Sequence, residues 1–192
     1  MTMRFYQKAS SFKWLLVLSA IAAGGGYLMI NDLLNGSENR ALDDRIKQVS
    51  HKVLEVREAP ERLEVVYLND RTQSSSAWIE GFFEDALNIA VLAKDKAYPE
   101  LVFLVQTPAE DAGDGSRATL GMSVVYDGSA LDSLALRDAT VHQFADMPKQ
   151  VHYQRLGRIK AQEYCNDAGG YKYTPRLCGF LVEGYIKGRR LN

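Results

Sequence analysis

The chain has 192 residues, with 23 Lys or Arg against 24 Asp or Glu and a net charge of −1. That balance makes no global field for nucleic acid, which is excluded as a partner on charge grounds. Hydrophobic residues at 46% and charged residues at 24% are ordinary for a folded chain, and roughly 150 residues outside a membrane segment are enough for one domain with a core.

The first predicted element is the uncharged stretch WLLVLSAIAAGGGYLMI, residues 14–30, preceded by Arg4, Lys8 and Lys13 and followed by Asp32. Two readings meet there. A cleaved leader needs a basic start and a small-residue site, and Ala20-Ile21-Ala22 and Ala22-Ala23-Gly24 both qualify. An anchor accounts for more of the residues. The run spans about 25 Å as a helix, and Leu33 and Leu34 extend it. Trp14 and Tyr27 fall near its ends, where amphipathic rings favour the membrane interface. Positive charge on the N-terminal side predicts a cytoplasmic tail (1–13), a transmembrane helix (14–34) and an exported body. Under either reading residues 35 onward leave the cytoplasm.

A stalk is predicted next, over 37–59. Leu42, Ile46, Val49, Val53 and Val56 recur at spacings of four and three, the a/d rhythm of a coiled coil, and Pro60 ends the run. The face they form either pairs with a partner's stalk or lies on the chain's own domain.

An α+β domain is predicted over 60–192. RLEVVYL (62–68), rich in β-branched residues, reads as a strand. Ser74-Ser75-Ser76 offers helix caps, and 77–98 carries the apolar face Ile79, Phe82, Phe83, Ala86, Leu87 and Ala90 of a helix. LVFLV (101–105) suits a central strand. ATLGMSVVY (118–126) alternates as its hairpin partner, with Leu120, Met122, Val124 and Tyr126 on one side. A short helix over 129–137, a strand over 138–144, a helix over 151–165 and a last strand over 178–186 complete the reading, with 129–150 a candidate for an added edge strand. The order, strand–helix–strand–strand–helix–strand, is that of a ferredoxin-like βαββαβ fold.

Cys165 and Cys178 are the two cysteines. In an oxidising compartment two cysteines pair, and a metal site would need further Cys or His at ligand spacing. Turn formers lie between them, and closing a loop of about 14 residues stabilises by roughly 3 kcal/mol. Candidate chemistry elsewhere is thin. Glu110, Asp111 and Asp114 form an acidic loop without an EF-hand pattern. His51, His142 and His152 are scattered. Ser74–Ser76 lack a nucleophile elbow, and Gly169-Gly170 lacks the lysine–serine pair of a phosphate loop. No catalytic residue, metal or cofactor is assigned, and a non-enzyme is expected. Tyr171, Tyr173, Arg176, Arg189 and Arg190 make an aromatic and basic C-terminal surface suited to a carbohydrate, an anionic headgroup or a protein.

Tail, single membrane helix, short coiled coil and βαββαβ domain together resemble the inner-membrane alignment proteins of type IV pilus and type II secretion machines, of the PilN, PilO and GspM kind. The resemblance is architectural. It implies a non-enzymatic scaffold in the inner membrane with a periplasmic domain, acting through protein partners as a homo- or hetero-oligomer. Competing plans are a bitopic component of a conjugative type IV secretion system, a pilin-like subunit and a periplasmic binding module. The pilin plan wants a glycine before the apolar run and an acid within it, where this chain has Lys13 and none.

Overall fold

Residues 62–68 are buried along most of their length, on both faces, as suits a strand inside the sheet. The computed structural model of the protein describes residues 41–71, 73–109, 117–167 and 169–189, with side chains described as far as Val182. The predicted tail and transmembrane segment lie outside those residues. Among the described residues no helix is long and apolar enough to cross a membrane.

The elements are α1 (Leu42–Val49), β1 (Val53–Ala59), β2 (Arg62–Leu68), α2 (Ser75–Ala93), β3 (Glu100–Pro108), β4 (Ala118–Asp127), α3 (Gly128–Ser133), α4 (Val141–Ala145), β5 (Gln150–Tyr153), α5 (Arg155–Asp167), α6 (Gly170–Tyr173) and α7 (Pro175–Arg189). Short 3-10 turns follow α2 and α3. The class is α+β, with a five-stranded mixed sheet in the order β1-β2-β3-β4-β5. Only β2 and β3 run parallel; the other neighbours are antiparallel. A parallel pair needs a long crossover, and α2 supplies it.

Leu63, Val65 and Tyr67 of β2 are fully buried, as is Phe103 of β3. Their rings join those of α2 and β4 in a chain of edge-to-face contacts. Phe82 stands 5.4 Å from Tyr67 and 5.6 Å from Phe103, and Tyr126 lies 6.2 Å beyond Phe103. Phe144 of α4 stacks on Tyr126 at 4.5 Å. One aromatic row thus crosses three strands and pins two helices to one sheet face.

Strand β2, helix α2 and the β3–β4 hairpin match the sequence reading. Leu120 does not join its expected row: the register shifts between Val105 and Gln106, and Leu120 is left exposed while Met122, Val124 and Tyr126 are buried. Several expectations are corrected. The βαββαβ order fails, because the strands lie in sequence order across the sheet. The 37–59 stalk is a helix only to Val49. Ser50 turns extended, and Val53–Ala59 pairs with β2 across the turn at Pro60-Glu61. β-branched Val49, Val53 and Val56 suit a strand as well as a heptad, and pairing with β2 decides. The strand expected at 138–144 is a turn plus α4, opened by a capping box of Thr140 and Gln143. The last strand expected at 178–186 is helix α7. Pro175 opens it, where a missing N–H costs nothing, and Leu177, Cys178 and Leu181 bury one helical face. The edge strand expected within 129–150 lies instead at Gln150–Tyr153, where it takes the start of the helix expected at 151–165, which begins at Arg155.

Candidate functional site

Burial of Leu42, Ile46 and Val53 settles where the predicted stalk residues point. All three are under 7% exposed, and Val49 and Val56 are half-buried. Helix α1 packs against α2 and β1 of its own domain, so Leu42 and Ile46 are covered and unavailable to a partner's stalk.

Cys165 of α5 and Cys178 of α7 are bonded, with Cα atoms 5.9 Å apart. Both are buried. The short helix α6 between them sits tightly, since a Cβ on Gly170 would come within 2.7 Å of the Tyr164 ring. Buried Thr174 donates its hydroxyl to the Gly170 carbonyl at 3.0 Å. Asp146, just after α4, accepts from the backbone N–H groups of Arg176 (2.6 Å) and Leu177 (3.0 Å) and so caps α7. The cap joins residues 30 and 31 apart in sequence, a span no local pattern reports.

Tyr171 and Tyr173 are about half exposed, at 49% and 50%. Lys172 lies over the Tyr173 ring at 5.0 Å, and His142 meets the same ring edge-on at 5.1 Å. Arg176 is exposed in the first turn of α7. Arg189 ends α7 and its side chain is outside the description, while Arg190 lies outside the described residues.

His142 carries the surface onward. It lines a groove of about 670 Å³ together with Arg71, Glu80, Gly81 and Glu84, and its Nε2 stands 3.9 Å from Glu80. Arg71, at the groove wall, belongs to a polar lock that sequence reasoning missed. Arg71 lies across Gly81, where any Cβ would strike its guanidinium. It donates to the Tyr67 hydroxyl at 2.6 Å and to Asp85 at 3.0 Å. Tyr67 donates to Asp85, and Ser50 donates to the same oxygen at 3.3 Å. Burial, then the Asp85 carboxylate, raises the Tyr67 pKa far above that of a free phenol. Burial works against the Arg71 charge, yet Tyr67 and Asp85 outweigh it and hold its pKa above the ordinary value. A phenol that keeps its proton this firmly is a poor base or nucleophile, so the lock positions the β2–α2 connection.

The other sequence candidates stay apart. His51 lies in the turn after α1 and His152 on β5, beside Gln150. Ser74 caps α2, accepting from Ala77 N–H at 3.0 Å. Glu110, Asp111 and Asp114 lie outside the described residues. Among the described residues no three His, Cys, Asp or Glu side chains converge as metal ligands. The arrangement as a whole is a mixed-charge groove with an aromatic rim, a surface chemistry met at protein contacts. No family model matches the chain, and no curated protein or solved structure matches it.

Proposed function

We propose that the protein is a non-enzymatic, single-pass inner-membrane scaffold whose α+β domain works in the periplasm, within a pilus or secretion machine. The observation that carries this reading is the buried Cys165–Cys178 bridge. Disulfides form and persist outside the reducing cytoplasm. The uncharged stretch 14–30 behind three basic residues supplies both the route out and the anchor. The groove supports binding over catalysis, because Arg71 in its wall is tied to Tyr67 and Asp85. Partner contacts are assigned to Tyr171, Tyr173 and the groove beside His142, in place of the covered face of α1.

Fractionation of the full chain tests the reading. The chain is expected to stay with membranes through alkaline extraction, to show both cysteines joined in non-reducing mass analysis, and to bring down other proteins from mild detergent. A reporter at the C-terminus should be active only outside the cytoplasm. Free thiols on a soluble, cytoplasmic chain would overturn the assignment.

A further inference from the structure

Strand β1 ends the sheet order, and among the described residues it pairs on one side only. An open edge normally invites unwanted pairing and is blunted by lysine, proline or a bulge. This edge has a register shift between Val53 and Glu55, and the regular, well-exposed stretch is Glu55–Ala59. Leu54 is 49% exposed, and the Glu55 and Arg57 side chains are 51% and 54% exposed.

The hydrogen-bond parity of the edge follows from the hairpin. Ala59 and Arg62 flank the two-residue turn, so they form a bonded pair, and bonded pairs alternate from there. The backbone groups of Arg57 and Ala59 therefore face β2, and those of Val56 and Glu58 point outward. Charge order adds the second half of the argument. Read antiparallel against itself about Val56, the segment Glu55-Val56-Arg57 places each Glu55 opposite an Arg57 and Val56 opposite Val56. A parallel, in-register pairing would set like charges side by side, which destabilises a sheet. Glu55 and Arg57 share one sheet face and pair within the chain, at 2.6 Å. Arg57 also holds Glu64 of β2 at 2.6 Å, which fixes the guanidinium at the edge.

We infer that β1 is a self-complementary docking edge, and that its occupant is β1 of a second copy of this chain, antiparallel about Val56. Ten strands then form one continuous sheet across a two-fold axis. Two short strands bury less than the roughly 1,600 Å² of a standard interface. The pairing is therefore weak in dilute solution and strong where chains are concentrated in a plane. The inference names the partner of the scaffold proposed above and rests on that reading only for this concentration.

Crosslinking of the full chain tests it. In a bonded antiparallel pair the Cα atoms stand about 5.5 Å apart, within disulfide reach. The variant V56C, mildly oxidised in membranes, should give a covalent dimer. E58C alone should give none, since its copies would lie about 13 Å apart along the strands. With V56C as the reporter, E55R sets Arg against Arg and R57E sets Glu against Glu. Each should lower the dimer about tenfold. Mixing the two should restore it, as a heterodimer only, because the charges then match. No more dimer from V56C than from E58C, or no recovery on mixing, overturns the inference. The two proposals fail separately: a soluble chain that still crosslinks through V56C sinks the anchor alone, and a membrane-bound chain that does not sinks the edge alone.

Discussion

The helix layer is fastened differently at its two ends. On the β2 side, Arg71, Tyr67 and Asp85 lock a loop to α2 through hydrogen bonds. On the β5 side, a covalent bond joins α5 to α7. The sheet explains the contrast. Strand β3, next to β2, has nine residues, and β5 has four. Helix α2 rests on a broad aromatic row, so a polar lock is enough to fix its register. Helices α5 to α7 have little ladder beneath them, and a covalent link does what burial does elsewhere.

Breaking the covalent end should have the largest effect. Reduction, or Cys165→Ala with Cys178→Ala, should cost about 3 kcal/mol, read as a lower midpoint in urea. α5–α7 should then open before the sheet, with hydrogen exchange rising first in 155–182. A single global transition with unchanged exchange would show that burial, and not the bridge, holds this end.

Breaking the polar end comes second. Asp85→Asn keeps the shape but removes the charge that Arg71 and Tyr67 share. A cost of about 1–2 kcal/mol is expected, discounted because Arg71 and Asp85 keep 22% and 19% of their side-chain exposure. A double-mutant cycle of Asp85→Asn with Tyr67→Phe should show coupling; strict additivity would mean that the three groups do not act as a unit.

The same lock predicts a pH response. The Tyr67 phenol titrates above its ordinary 10.0 in the folded chain, so the native state holds this proton longer than the unfolded state does. Its contribution is full below pH 10 and declines as pH climbs beyond it. Buried Tyr126 and half-buried Tyr153 shift the same way and will also contribute, so the measurement is a difference. Tyr67→Phe should flatten the alkaline loss of stability, by urea midpoint between pH 9 and 11. Identical slopes in both chains would remove the phenol from the account.

The two ends also differ in how far they could be read beforehand. The cysteine pair needed only a compartment and a count, and Tyr173 needed only exposure. Helix α2 and strand β4 carry a clear apolar period, and β2 and β3 are apolar runs buried on both faces, so local pattern and final packing agree. Val49 to Val56 satisfies a heptad and a strand at once, and only the Pro60-Glu61 turn, with β2 behind it, resolves the choice. CGFLVEGYI has strand-like residues, but Pro175 and the helical spacing of Leu177, Cys178 and Leu181 outweigh them. The Thr140–Gln143 capping box was visible and pointed to a helix. Arg71 and Asp85 are 14 residues apart, and nothing in either neighbourhood announces the other.

The smallest effect isolates a polar contact that helps seat α7 without a covalent bond. Asp146 accepts from the N–H groups of Arg176 and Leu177, two of the donors left open at a helix start. Its charge also suits the positive end of the helix dipole. Asp146→Ala should cost about 1 kcal/mol in the bridged protein, and Asp146→Asn, which keeps the acceptor, about half of that. In the reduced protein the cap is among the few ties left between α7 and the α4–β5 connection. The Ala variant should then release α7 at a lower urea concentration than the bridge loss alone does, with 170–182 exchanging first. Equal costs in bridged and reduced chains would mean that cap and disulfide hold α7 independently, and the contrast between the two ends would then rest on the covalent bond alone.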